Sequence, residues 1–560
     1  MLQRRRLLTT AATGLIPAIA AAAPKVKEGP SVPLTVETQR GKVRGTLEDG
    51  VRVFRGIPYG AATDGLNRFR APKPAKPWAG VRDAIAYGPM CPQLPPEKPG
   101  LMASWTYDKE ASEDCLLLNV WTPGLRDQRK RPVMVWFHGG GFTSLSGSRN
   151  VFDGTRLCKR GDVVVVTVNH RLNVFGFLYL AHLTGAEFAE SGTAGMLDLV
   201  AALKWVRVHI AAFGGDPGNV TVFGQGGGGA KVSTLMAMPM ARGLFHKAIV
   251  QSGSFLEALT PDEATKYAAA YLAVLDMKPA DIARLSKLPA DRLLAAYARM
   301  MSAPGPRPGF GPVVDGIALP KGPWQPDAPP VSAGIPMIIG STRTETTLLA
   351  AVTPSLLEQD EAALRRNLAP WLPEKESPRV IAGFRKLMPK ASPAELFFAI
   401  TSDRRVRQLA WTQAERRATQ AATGTASAAG APGVPAGSGA AAGTAPVFLY
   451  ELDWTTPVDD GRWGAPETLD IPFVFDNVAR SESMVGTGPA PQRLADLMSS
   501  AWIAFARTGT PSADGLPAWP PFTPMDRATM VFDTQSRVMK DFRGEERALL
   551  ASLPPLRVYR

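Results

Sequence analysis

The sequence predicts an α/β fold in which helices flank a central, mixed but mostly parallel sheet. Residues 132–137 and 163–168 are continuous apolar runs, which are typical of strands buried on both faces. A helical apolar period over 197–210 separates the second run from a β-branched segment at 220–223. Strands that alternate with helices in this way favour a largely parallel sheet covered on both faces.

The first 23 residues are predicted to be a cleavable export signal and not part of the fold. Arg4–Arg6 precede a short Ala-rich stretch that is interrupted by Gly14 and Pro17 and ends in small residues. Paired arginines before leucines resemble a twin-arginine signal. The stretch is too short and too weakly apolar for a membrane anchor, so we expect an exported, periplasmic or secreted chain that begins near Pro24 and has no membrane span.

A single domain is predicted over residues 32–555. Polar and apolar residues alternate over 32–60 between turn glycines, which predicts antiparallel strands at the start of the domain. Further strands are expected at 247–250, 336–340 and 446–450. Between 414 and 445 the chain consists largely of Ala, Gly, Ser, Thr and Pro, a composition that cannot bury enough apolar surface to order itself. We therefore expect a flexible insertion there.

The composition excludes some classes of partner. The 560 residues are 45% hydrophobic and 20% charged, which is ordinary for a globular protein with a large core. The formal net charge is +13, but the cations are scattered and no nucleic-acid-binding module is visible, so nucleic acid is not an expected partner. A basic surface favours anionic partners through long-range attraction. The oligomeric state is not indicated.

A glycine-dense turn follows the β-branched segment and leads into a helix-forming segment. The turn reads Gly224-Gln225-Gly226-Gly227-Gly228, and the pattern as a whole predicts strand, sharp turn and helix. Such a turn could hold a phosphate, but the phosphate-binding pattern is absent because valine follows the lysine after the turn. The frame instead matches G-x-S-x-G, in which a serine nucleophile stands on a strained turn, with Gly226 at the serine position.

A second glycine cluster follows the strand expected at 132–137. His138 is followed by three glycines and Phe142. Successive glycines directly after a buried strand let backbone N–H groups converge on one point, as in the oxyanion hole of lipases and esterases. The alternative is a plain strand-to-loop turn. It is less favoured because the chain has another glycine-dense turn directly after a predicted strand, at 224–228.

Together these features resemble the type-B carboxylesterases, which include cholinesterases and neuroligins and have the α/β-hydrolase fold. The resemblance runs from about residue 32 to residue 553. The motifs that carry it are FRGIPY at 54–59, EDCLLLNV at 113–120, HGGGF at 138–142, FGGDP at 213–217, GLFHKAI at 243–249 and QSGS at 251–254.

The resemblance implies roles for several positions. The backbone N–H groups of Gly140, Gly141 and Gly227 would form the oxyanion hole, and Glu345 would be the acidic member of the catalytic triad. It also implies a disulfide, which we expect between Cys91 and Cys115, because these cysteines bracket a Pro-rich loop and the chain is expected to be exported. Cys158 is left over and is expected to be a buried, inert thiol.

Two triad positions are substituted. Gly226 offers no oxygen to attack a carbonyl, and Glu467 stands where the family has histidine. The five histidines of the chain all precede Glu345, whereas this fold places the histidine after the acid. The third triad member therefore has no candidate, and serine hydrolysis is predicted to be impaired or absent.

Three hypotheses remain open. The chain could be a pseudoenzyme that binds a small ester or acyl ligand, including a non-catalytic binding or adhesion protein like the neuroligins. It could be an enzyme in which Glu345 and Glu467, as two close carboxylates, activate water or abstract a proton. It could also be an altered copy of an ordinary exported esterase. No motif implies a metal, a nucleotide or an organic cofactor.

Overall fold

The structure is a computed structural model that describes residues 34–95, 100–106, 110–305, 308–422, 445–554 and 556–557. The expected export signal lies outside these residues. The strands are β1 Thr35–Thr38, β2 Gly41–Arg44, β3 Thr46–Glu48, β4 Val51–Pro58, β5 Val81–Asp83, β6 Leu117–Thr122, β7 Arg131–Phe137, β8 Val164–Val168, β9 Gly215–Gln225, β10 Lys247–Gln251, β11 Met337–Thr342, β12 Val447–Leu452, β13 Thr529–Phe532 and β14 Arg537–Met539.

The α-helices of the described chain lie mostly between these strands. They are α1 Thr155–Gly161, α2 Asn173–Phe177, α3 Ala181–Thr184, α4 Ala194–His209, α5 Gly227–Leu235, α6 Pro261–Val274, α7 Ala290–Ser302, α8 Glu361–Leu368, α9 Ser377–Leu387, α10 Pro393–Ser402, α11 Gln408–Ala422, α12 Asp470–Val474, α13 Glu482–Val485, α14 Pro489–Thr508 and α15 Gly544–Leu550. In the described part of the chain, no helix is both long enough and apolar enough to cross a membrane.

The main sheet has eleven strands in the order β14-β13-β12-β11-β10-β9-β7-β8-β6-β4-β3. The pairs from β13 through β12, β11, β10, β9 and β7 to β8 are parallel, and the pairs at both ends are antiparallel. A separate small sheet has the order β1-β2-β5. This is the mixed, mostly parallel sheet that the apolar runs predict, and the predicted fold class is confirmed.

The central strands are buried on both faces because helices cover each side. In β7, Val133 and Val135 belong to one apolar cluster, while the alternating residues Met134 and Trp136 belong to a second cluster across the sheet. This follows from the period of two in a strand. The first cluster includes residues of α4 to α7 and the second includes residues of α8 to α10 and α14. The site lies where β7, β9 and β11 end.

The expected start of the flexible insertion is wrong. Helix α11 runs through to Ala422, so residues 414–422 are helical. Ala414 and Arg417 are fully buried, and Ala414 packs in the first apolar cluster. The Arg417 guanidinium donates to the Ser332 hydroxyl at 3.1 Å. An apolar helix face therefore orders this segment although its composition is low in complexity, and the remaining residues 423–444 lie outside the described chain.

The predicted disulfide is also wrong for this structure. Cys91, Cys115 and Cys158 are free, buried thiols. Cys91 and Cys115 are neighbours: a hydrogen bond between the two thiols, together with burial, raises the pKa of Cys115 well above its usual value. The Leu172 amide donates to the Cys91 sulfur at 3.2 Å. The sequence pattern identified two cysteines that meet, but a bond between them also requires oxidation, which spacing does not encode.

Candidate active site

The glycine-dense turn at 224–228 forms the predicted sharp turn between a strand and a helix, which we call the elbow. Strand β9 ends at Gln225 and helix α5 begins at Gly227, so Gly226 stands alone between them. Its backbone has φ 57° and ψ −121°, a conformation that residues with a side chain rarely adopt. The Gly226 amide donates to the Gln251 carbonyl at 2.8 Å, and its carbonyl accepts from the Ala230 amide at 3.0 Å. The turn is therefore anchored on both sides.

The elbow is pressed against the loop that follows β7. A Cβ atom on Gly227 would lie 2.2 Å from the Gly141 carbonyl oxygen, and one on Gly228 would lie 1.9 Å from the Phe137 carbonyl oxygen. Both contacts are with backbone, so only glycine fits at this spacing. Gly140 and Gly141 have φ of 79° and 60°, again in the region that favours glycine. The three expected oxyanion-hole residues therefore lie on two adjoining backbone segments.

Glu345 lies just beyond β11 and is fully buried. Its Oε1 accepts a hydrogen bond from the Ser252 hydroxyl at 2.6 Å and another from the Thr342 amide at 2.7 Å. Its Oε2 is buried and has no hydrogen-bond partner among the described residues. A buried carboxylate oxygen without a donor is uncommon, and this one is free to accept a proton donor from a neighbouring group.

Glu467 is joined to Glu345 through the backbone. The Glu467 amide donates to the Glu345 carbonyl at 3.1 Å. The Glu467 side chain is 18% exposed, and its Oε2 lies 3.7 Å from Nη1 of Arg405, which belongs to the short π-helical segment Asp403–Arg407. Position 467, which the resemblance predicts to be the histidine position, therefore lies beside Glu345 and carries a carboxylate that is paired with an arginine.

Burial and the negative charge of Glu467 raise the pKa of Glu345 to about 8. The hydrogen bonds from Ser252 and Thr342 oppose this rise, because they favour the ionised form. Glu345 is therefore protonated near neutral pH. A protonated acid does not orient and stabilise a charged imidazolium as an ionised triad carboxylate does.

The raised pKa of Glu345 predicts a loss of stability with rising pH. The folded state holds the proton more tightly than the unfolded state, so this contribution is complete below about pH 4.5 and is lost as the pH rises to about 8. The loss is at most about 1.4 kcal/mol per pH unit. Glu345→Gln mimics the protonated acid, and urea unfolding between pH 5 and 8 should show a shallower decline for this variant than for the wild type.

The matched control for this titration is Glu374→Gln, which removes an exposed carboxylate. It should leave the pH dependence of the free energy of unfolding unchanged. An identical slope in the wild type and in Glu345→Gln would show that Glu345 does not keep its proton in the folded state.

A cavity of about 440 Å³ opens beside Glu467 and the glycine loop that follows β7. It lies between Gly139 and Gly140 on one side and Glu467 on the other. Its remaining walls are mainly apolar, and they include the aromatic side chains of Trp105, Phe152 and Tyr297. A pocket of this size and lining is suited to a small apolar ligand with one polar group held at the glycine loop. Within the described residues, no cluster of three or more His, Cys, Asp or Glu could hold a metal ion.

A buried lysine lies beneath the glycine loop. Lys231 in α5 is fully buried, its ammonium donates to the His138 carbonyl at 2.8 Å, and burial lowers its pKa to about 7. His138 stacks on His170 with ring centroids 5.0 Å apart. Burial, together with the charge of Lys231, holds the pKa of both histidines well below the usual value. The imidazoles of His138 and His170 are therefore neutral near pH 7.

The comparison with known families decides the relationship. The model of the Carboxylesterase family matches residues 32–550. The chain belongs to the carboxylesterase family. The chain is 37% identical over 522 residues to a para-nitrobenzyl esterase of Bacillus subtilis (strain 168), covering 92% of this chain and 98% of that protein. It is 33% identical over 528 residues to a phenmedipham hydrolase of Pseudarthrobacter oxydans, with the same two coverages.

Solved carboxylesterase structures have the same fold. A carboxylesterase of Geobacillus stearothermophilus, crystallised at pH 6.2, superposes with a TM-score of 0.78 at 37% identity and covers 92% of this chain and 99% of that chain. This carboxylesterase-family chain therefore has the α/β-hydrolase fold expected from its glycine motifs.

Sequence reasoning missed three side chains of this carboxylesterase site. Ser252 belongs to the QSGS motif at 251–254, which does not indicate that its hydroxyl donates to Glu345. Arg405 pairs with Glu467 from a segment 62 residues earlier, and no local pattern pointed to it. Lys231 follows the glycine-dense turn, and nothing in the sequence around it indicates that its charged side chain is buried. Partners that meet through the fold leave little signal in the neighbouring sequence.

Proposed function

We propose that this chain binds small carboxylic esters or acyl ligands in the cavity beside Glu467 and does not hydrolyse them through a serine nucleophile. The observation that carries the proposal is the elbow: it has the positive-φ backbone and the contact with the glycine loop that a nucleophile turn needs, but its apex is Gly226. The ligand's carbonyl oxygen would accept from the loop amides, while its apolar part would lie against the aromatic walls.

The chemistry of the histidine position supports the same proposal. In an active triad, the histidine takes the proton from the serine hydroxyl and then donates it to the leaving group. Glu467 is instead paired with Arg405, and the neighbouring Glu345 holds a proton near neutral pH. Neither group reproduces that proton relay, so binding remains without the covalent step.

A second candidate function rests on the two carboxyl groups. The unpartnered Oε2 of Glu345, with a pKa of about 8, could act as a general acid or base near neutral pH. In this second function, the carboxyl groups of Glu345 and Glu467 would activate a water molecule that attacks an ester whose carbonyl is held at the glycine loop. Alternatively, they would abstract a proton from the carbon atom next to that carbonyl. It predicts slow turnover that depends on Glu345.

Binding without turnover is the expected result for the purified wild type. The relative from Bacillus subtilis is a para-nitrobenzyl esterase, so p-nitrobenzyl acetate is a suitable probe. Titration calorimetry should give saturable binding with Kd between about 1 μM and 1 mM, the usual range of enzyme–substrate affinity. Hydrolysis of p-nitrophenyl butyrate should not exceed the buffer rate, and a fluorophosphonate probe should not label the chain.

Two adjacent leucines provide matched variants for this experiment. Leu348 lines the cavity, whereas Leu349 does not, and both side chains are half-buried. Leu348→Trp should fill the cavity and weaken binding at least about tenfold, while Leu349→Trp should not. Equal binding by both variants would contradict the proposed site. Turnover without labelling that disappears in Glu345→Gln would instead support the carboxylate mechanism.

A further inference from the structure

A second groove lies on the outer side of helix α4, away from the elbow. It has a volume of about 310 Å³ and shares no lining residue with the cavity beside Glu467. One face of α4 forms its floor through residues spaced along the helix, namely Leu197, Ala201, Trp205 and Val208. The turn between β1 and β2 and the segment 71–74 form its walls.

The floor and rim of this groove are apolar and partly open to solvent. Val208 is 50% exposed and Met240, which also lines the groove, is 39% exposed. Trp205 is 6% exposed and packs its ring against His209 with centroids 5.1 Å apart. Exposed apolar side chains that line a concave surface mark a site that gains free energy when an apolar group covers it.

Three cations line the groove together with this apolar floor. They are Arg40, Lys73 and Lys204, and none of them forms an ion pair with a carboxylate among the described residues. No acidic side chain is among the described residues that line the groove. Arg40 lies close enough to His209 to contribute, after burial, to lowering its pKa. The groove therefore combines an apolar floor with an uncompensated positive rim.

We propose that this groove binds a monocarboxylate with an unbranched apolar chain, whose carboxylate lies among Arg40, Lys73 and Lys204 while its chain lies on α4. The volume is at the lower end of the range of about 300–1,000 Å³ for small-molecule sites, which favours a chain of medium length. The formal net charge of +13 attracts the same anion over longer distances. This site is independent of whether the cavity beside Glu467 binds esters.

The probe for this proposal is octanoate, measured by titration calorimetry with the full-length chain. It should bind at least about tenfold more tightly than 1-octanol or octyltrimethylammonium, because only the carboxylate complements the cationic rim. Kd should fall roughly three- to fourfold for each methylene added between hexanoate and octanoate. Equal affinity for the neutral, cationic and anionic probes would overturn the proposal.

Charge reversal at the rim locates the binding site. Lys73→Glu with Lys204→Glu should weaken octanoate binding by roughly tenfold or more. The matched control is Arg207→Glu with Lys266→Glu, which changes the net charge equally at exposed positions outside the groove and should change Kd less than about twofold. Octanoate binding that is the same in both double variants would overturn the assignment.

A second measurement does not depend on these variants folding. In methyl-¹³C-methionine spectra of the wild type, the Met240 resonance is assigned by its loss in Met240→Leu. Saturating octanoate should shift this resonance, because Met240 lines the groove. An unchanged Met240 resonance at saturating octanoate would show that the anion binds elsewhere.

Discussion

Gly226→Ser combined with Glu467→His is expected to raise kcat for p-nitrophenyl butyrate at least about 10³-fold above the wild type. Serine at the elbow supplies the hydroxyl that the glycine lacks. Histidine at 467 would be adjacent to Glu345 and would remove the negative charge of Glu467, which helps to raise the pKa of Glu345. The Glu345 carboxyl then ionises more readily, and its unpartnered Oε2 can accept the ring N–H of the histidine. The initial rate of p-nitrophenol release and labelling by a fluorophosphonate both measure the gain.

The single variants and one matched double variant make this result specific. Gly226→Ser alone and Glu467→His alone should remain near the wild-type rate, because triad members act as a unit and one addition leaves the unit incomplete. Gly226→Ala with Glu467→His adds a Cβ atom but no hydroxyl and should stay inert. A folded Gly226→Ser/Glu467→His protein with neither turnover nor label would show that these are not the nucleophile and histidine positions.

Asp198→Asn is expected to lower the free energy of unfolding by about 3–5 kcal/mol. Asp198 is fully buried and its carboxylate accepts from Arg171 at three points: Nη2 at 2.6 Å, Nε at 2.8 Å and the backbone amide at 3.0 Å. The variant leaves the Arg171 guanidinium charged and buried without its counter-ion. Urea unfolding at pH 7 measures the loss.

An exposed ion pair is the control for this change. Lys159 and Asp49 are paired at 2.6 Å, and both side chains are largely exposed. Asp49→Asn should change the free energy of unfolding by less than about 1 kcal/mol, because water and salt already screen that pair. If Asp198→Asn and Asp49→Asn had equal effects, the buried pair would not be a major contributor to stability.

The features that could be predicted from the sequence are those encoded within a few residues. A β-branched run forms a strand, and glycines directly after it form a turn; both elbows follow from this, at Gly226 and at Gly140 and Gly141. The order of the motifs along the chain resembles that of a known family, and this resemblance predicts that Glu345 and Glu467 lie beside each other. All of these positions depend on local conformation or on motif order.

The remaining features depend on which distant segments meet. Arg405 reaches Glu467 from a π-helical segment that shows no local signature. Helix α11 continues into a low-complexity stretch because Ala414 packs against the core, and composition alone does not report that contact. Cys91 and Cys115 meet as expected, yet they are free thiols, since proximity and oxidation are separate questions.

Glycine at position 226 also removes a conformational strain that any larger residue would impose on the folded state. A side chain held at φ 57° and ψ −121° costs on the order of 1–3 kcal/mol, which an active enzyme tolerates because the exposed nucleophile requires it. Glycine adopts this backbone with little strain. Under the proposed function, glycine at position 226 therefore relieves a trade-off between stability and activity. It gives the chain a margin against destabilising substitutions elsewhere that an active relative with a residue other than glycine at this position would lack.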